Sequence, residues 1–118
     1  MNIKAKRPLH HNLIKVIKDV LNTDVTDSSY KRDLNHADGR NLYCYLLRKQ
    51  GWKCTEIGKT IGKHYSTVVH NCNTHLTQRD VYPHVLENEK KVLLQWYDMQ
   101  DDTDERKEIF INIWNSLV

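Results

Sequence analysis

The 118-residue sequence predicts an all-α fold, a bundle of amphipathic helices. Three observations lead there. Apolar residues recur at three- and four-residue spacings, and strand-like alternation is scarce. Only four glycines and two prolines interrupt the chain. Between Thr55 and His70, two short periodic stretches meet at a glycine, which reads as a tight corner between helices.

The elements follow in order. Residues 1–8 are basic, end at Pro8 and are expected to form a flexible arm. Leu9 to Leu21 places Leu9, Leu13, Val16, Ile17, Val20 and Leu21 on one helical stripe. Asn22-Thr23-Asp24 ends it, and Thr26 or Asp27 is positioned to cap a short turn through Lys31. Asn35 to Gly39 reads as a turn. Arg40 to Gln50 reads as a helix with Leu42, Tyr43, Leu46 and Leu47 inward, terminated at Gly51. Thr55 is the expected cap of a helix over Glu56 to Ile61, inside which Gly58 suggests close helix packing, and Gly62 turns the chain. A helix from Tyr65 to Thr77 is expected to bury Val68, Val69, Cys72 and Leu76. Pro83 breaks the periodicity. Val85 to Met99 carries Val85, Leu86, Val92, Leu93, Trp96 and Tyr97 on a new stripe. After an acidic joint, Thr103 or Asp104 caps a last helix with Ile109, Phe110, Ile113, Trp114 and Leu117 on its apolar face. A single domain is expected: the arm, a core over 9–79, and an acidic two-helix extension over 80–118 that either completes the core or forms an interface through Trp96, Phe110 and Trp114.

Composition narrows the function. No apolar run is long enough to cross a membrane and the start lacks a secretory signal, so a cytoplasmic location is expected. Cys44, Cys54 and Cys72 are an odd number at wide spacings and read as free thiols. No Cys-x-x-Cys pair, phosphate loop, His-Glu-x-x-His or nucleophile elbow occurs, so neither a metal, a cofactor nor an enzymatic activity is expected. The seven histidines form no recognisable catalytic pair with an acid.

Charge is segregated. Residues 1–79 carry 14 Lys and Arg against 6 Asp and Glu, whereas residues 80–118 carry 4 against 9. Such asymmetry is expected to give one pole an attractive field for phosphate while the other pole faces away. At the glycine corner, the helix entrance carries His64, Tyr65, Ser66 and Thr67, with Lys59, Lys63 and Arg40 nearby. A helix-turn-helix needs this combination: one side of its second helix held by partner helices, the other offering short hydrogen-bonding groups to base edges. Unpaired backbone donors at the helix start would add an attraction for phosphate.

The same stretch resembles a known family. Glu56-Ile57-Gly58, followed after three residues by Gly62-Lys63-His64-Tyr65-Ser66-Thr67-Val68-Val69-His70-Asn71-Cys72, is similar to the signature of the C-terminal DNA-binding domain of the bacterial chromosomal replication initiator, DnaA. That signature runs Glu-Ile-Gly, then Gly-Arg-Asp-His-Thr-Thr-Val-x-His-Ala-Cys, and the register has no gap. Upstream, Asn22 to Asp27 and Lys31-Arg32 resemble the segment leading into the family's basic loop, and Arg40 matches an arginine opening the next helix. About residues 10 to 78 are covered. The resemblance implies a bundle of the Trp-repressor and initiator C-terminal-domain type, with two additional helices here, and sequence-specific binding of duplex DNA. His64-Tyr65 replaces the family's Asp-His, so the preferred site is expected to differ. Asp33 and Asp38 dilute the basic loop, and no Walker motif accompanies the module.

The expectation is a double-stranded DNA-binding protein, associated with a nucleoid or phage DNA, in transcriptional regulation or DNA replication. Bases would be read by His64, Tyr65, Ser66, Thr67, Val68, His70 and Asn71, and phosphate held by Lys31, Arg32, Arg40, Lys59 and Lys63. Residues 80–118 would serve a homodimer or contact a replication protein. The alternative is a protein-interaction module that binds a replication or transcription factor and has lost DNA reading.

Overall fold

A computed structural model describes residues 9–27, 34–101 and 105–117. Among them the chain forms six α-helices and no strand: α1 (Leu9–Leu21), α2 (Leu34–Lys49), α3 (Cys54–Ile61), α4 (Tyr65–Val81), α5 (Pro83–Asp98) and α6 (Lys107–Leu117). The all-α bundle expected from periodicity is what these residues build. The basic arm, the turn through Lys31, and the caps Thr103 and Asp104 lie outside the described residues.

Helix α1 has the expected bounds and buries Leu9, Leu13, Val16, Ile17 and Leu21. Asn22 leaves it with φ 55°, and the chain then folds around Asp24. One oxygen of Asp24 accepts from the Thr26 hydroxyl at 2.6 Å and from its backbone N–H at 2.9 Å, which holds the carboxyl below the usual carboxylate range. Asp24 thereby organises the turn over Asp24 to Asp27, which the Asp27 N–H closes on the Asp24 carbonyl at 3.1 Å.

Helix α2 corrects the reading of Asn35 to Gly39 as a turn, because its first turns run through them. Gly39 is there for contact. A Cβ at this position would lie 2.7 Å from Thr23 Cγ2 and 3.2 Å from Ile17 Cγ2, so the glycine lets α2 close on α1. Beside it, Thr23 Oγ1 and His36 Nδ1 share a buried hydrogen bond of 2.9 Å. Tertiary packing thus outweighs the local cost of a helical glycine, about 1 kcal/mol. From Asn41 to Leu47 every residue is buried, so α2 is a central helix rather than a one-sided one. Gly51, at φ 97°, ends it as expected.

The corner between α3 and α4 rests on two glycines. Helix α3 starts two residues earlier than expected: Lys53 is the cap residue, its N–H donating to Glu56 Oε1 at 2.8 Å, and Thr55 lies inside the first turn. At the other end, Gly62 takes φ 65°, and the Lys63 N–H donates to the Gly58 carbonyl at 2.9 Å, a six-residue closure. This closure folds the Lys63 carbonyl back over Gly58, where a Cβ would overlap it.

Helix α4 runs four residues beyond its expected end, to Val81, and its inward face is rotated. Val68, Asn71 and His75 are buried, whereas Val69 is 41% and Leu76 38% exposed. The reason is polar. His75 Nε2 meets Glu89 Oε1 of α5 at 2.6 Å, and the Arg79 guanidinium donates to both Glu89 oxygens at 3.2 Å. Glu89 is fully buried, and the Tyr45 ring of α2 lies against both His75 and Arg79. This histidine–acid pair, with Arg79 beside it, clamps α4 to α5.

Pro83 opens α5 at a position where its missing N–H costs nothing. Helix α5 packs on α1 and α4, and α6 packs on α5. Val92, Leu93, Trp96, Phe110 and Ile113 join the same apolar core as α1, α2 and α3. Trp96 and Phe110, expected as interface residues, are buried instead, with ring centroids 4.6 Å apart in an edge-on contact. Trp114 remains half-buried.

Two outcomes follow. Gly58→Ala should gain helix propensity yet lose more to the overlap with a backbone carbonyl, for a net destabilisation of about 1–2 kcal/mol in urea unfolding; a variant as stable as the parent would show that the corner relaxes freely. Glu89→Ala, which leaves Arg79 and His75 without their acceptor, should cost about 3 kcal/mol or more by the same measurement; a loss under about 1 kcal/mol would show that the clamp contributes little.

Candidate nucleic-acid interface

The corner carries α4 outward with a defined set of groups at its start. His64 caps the helix: its Nδ1 accepts from the Ser66 N–H at 3.2 Å and lies 2.9 Å from the Ser66 hydroxyl. Accepting from a backbone N–H requires Nδ1 to be unprotonated, so neutral His64 carries its proton on Nε2. The Tyr65 ring lies 4.5 Å from the His64 ring, and Tyr65 is half exposed. Ser66 is exposed and Thr67 partly so.

Two backbone donors of this first turn, expected to be unpaired, are engaged within the helix start. The Ser66 N–H is taken by His64 Nδ1 and the Thr67 N–H by the His64 carbonyl at 3.0 Å. Lys59, in the last turn of α3, is exposed, and Lys63, in the turn itself, is half-exposed. Arg40 sits elsewhere: its guanidinium donates to the Asp27 carbonyl at 2.8 Å and ties α2 to the loop after α1. Lys31 and Arg32 lie outside the described residues.

Two residues expected at the reading face point inward. Val68 is fully buried, on the side of α4 that meets Gly58. Asn71 is buried, its amide donating to Cys44 Sγ at 3.6 Å. The helical repeat then decides what faces outward. Ser66, Val69, His70 and Asn73 stand at i, i+3, i+4 and i+7, and all four are exposed. His70 Nε2 is 3.4 Å from the Thr74 hydroxyl. Val69 and Asn73 were not expected here; the signal that places them is the polar partner of His75, which turns the buried stripe by about one residue.

Behind this face, burial shapes the chemistry of the thiols and of the Tyr43 hydroxyl. Burial pushes the Cys44 thiol up to about 12 and the Cys72 thiol up to about 11, so neither is a thiolate near neutrality. Burial likewise raises Tyr43 to about 12, although its hydroxyl is bonded to Thr60 Oγ1 at 2.6 Å. All three cysteines are unpaired in disulfide terms. Among the described residues, no group of three His, Cys, Asp or Glu side chains is placed to hold a metal ion, and no helix is long and apolar enough to cross a membrane.

The arrangement thus provides a helix start bearing two rings and three hydroxyls, an outward stripe of Ser66, Val69, His70 and Asn73, and two lysines on the preceding helix and turn. Comparison with known proteins adds no further assignment: no protein-family model, no curated protein and no solved structure matches this chain.

Proposed function

We propose that the protein binds duplex DNA sequence-specifically, with α3 and α4 acting as a helix-turn-helix like that of the replication initiator's C-terminal domain. The observation that carries this reading is the division of α4. One side is locked by α2, α3 and α5, and the other presents Ser66, Val69, His70 and Asn73 to solvent beside Lys59 and Lys63.

The physical fit is with a major groove, which admits one α-helix and displays donors, acceptors and thymine methyl groups. Ser66 and His64 stand at the end of α4 that would enter first. Val69 offers methyl groups to a thymine. Asn73 has the amide that pairs with adenine N6 and N7, and it lies about 10 Å along the helix from Ser66. Lys59 and Lys63 would hold phosphate and set the register. The half exposure of Tyr65 and the exposure of Ser66 leave both side chains within reach of a groove. Such a protein acts in the regulation of transcription or replication on a bacterial or phage genome.

Selection from random duplex DNA, followed by titration of the winning sequence at several salt concentrations, tests the proposal. A reproducible motif and a steep fall of affinity with salt are expected; no enrichment by a folded protein would move the function to protein interaction. Lys63→Ala should weaken binding to all sequences alike and reduce the salt slope by about 1. Asn73→Ala should instead relax preference at one base pair, costing about 1–3 kcal/mol on the preferred site alone. Uniform weakening by both variants would overturn the assignment of base reading to this stripe.

A further inference from the structure

Helices α5 and α6 leave a shallow apolar groove of about 160 Å³, lined by Leu93, Leu94, Tyr97, Phe110, Ile111 and Trp114. Its rims are large apolar side chains facing water: Leu94 is 53% and Ile111 45% exposed. Single exposed apolar residues are ordinary, but two on adjacent helices flanking an apolar groove form a patch of the kind that proteins cover.

The charges on α5 indicate what covers it. Lys90, Leu94 and Asp98 stand at i, i+4 and i+8, with Lys91 and Tyr97 three residues either side of Leu94, so all five share one face. Consider a second copy placed antiparallel about a twofold axis through Leu94. Each position before Leu94 then faces the position equally far after it in the other chain. Lys90 meets the partner's Asp98 and Asp98 meets the partner's Lys90, which gives two opposite-charge contacts from one symmetry operation. At the centre the two Leu94 side chains and the flanking Ile111 residues enter each other's grooves. A partner with a single sign of charge would match only one end of this face; the mixed pattern is complementary to itself.

From this we infer that the protein self-associates into a twofold dimer through the outer face of α5 and the groove it shares with α6. The interface lies on α5 and α6, away from α3 and the start of α4, and does not rest on the DNA-binding reading, so it is tested without DNA.

Sedimentation equilibrium across low-micromolar to submillimolar protein reads the association directly. The parent chain, 14.0 kDa as a monomer, is expected to approach twice that mass. Lys90→Glu and Asp98→Lys should each weaken the dimer at least tenfold by placing like charges opposite each other. An equimolar mixture of these two variants should recover it, because every contact in the mixed pair is again between opposite charges. Leu94→Asp should abolish it while retaining the parent circular dichroism spectrum, since Leu94 is exposed. A parent that stays monomeric throughout, as it would if the groove served a different protein, overturns the inference. So does a dimer that survives Leu94→Asp, or single variants whose mixture fails to reassociate.

Discussion

The Lys63 carbonyl lies against the backbone of Gly58, and the direction of α4 depends on that contact. The left-handed Gly62 and the closure from the Lys63 N–H to the Gly58 carbonyl bring the chain back over α3 within three residues. A side chain at position 58 would force the turn outward. Everything α4 presents, from the capping His64 to Asn73, is placed by how tightly this corner closes. The two glycines do different things: Gly62 supplies a conformation and Gly58 supplies room.

Direction alone does not decide which side of α4 faces water, and here the buried polar cluster matters. Glu89 has no solvent of its own, and its two oxygens are engaged by His75 and Arg79, both from α4. A buried carboxylate left without donors is costly, so rotating α4 about its axis would be opposed by more than lost packing. The donors sit four residues apart, one turn of helix, and this spacing lets one acid grip two of them. Tyr45 of α2 covers the cluster with its ring, linking the central helix to the α4–α5 pair.

Much of this architecture was legible in the residues. The stripe from Leu9 to Leu21 named α1 to the residue, and Gly51, Gly62 and Pro83 marked true ends. What was not legible depended on partners distant in the chain. Gly39 looked like a turn because the side chains it makes room for, Ile17 and Thr23, are 22 and 16 positions away. The inward face of α4 was misjudged because hydrophobicity assigned Val69 and Leu76 to the core and left His75 outside. The Glu89 that reverses this lies 14 residues downstream on another helix. The same error placed Asn71 at the candidate site and omitted Asn73. Trp96 and Phe110 were visible as residues that must be covered, but not that they cover each other. The charge of Arg40 was visible, but the Asp27 carbonyl that its guanidinium holds was not.

The clamp on one side of α4 leaves the opposite side unusually free to vary. Ser66, Val69, His70 and Asn73 share no side-chain hydrogen bond with the buried cluster, and substitutions at such exposed positions usually change stability by no more than about 0.5 kcal/mol. The helix can therefore accept new outward chemistry while its seat in the bundle stays the same. A lineage built on this chassis can explore new partners by small steps, none of which must first be compensated in the interior.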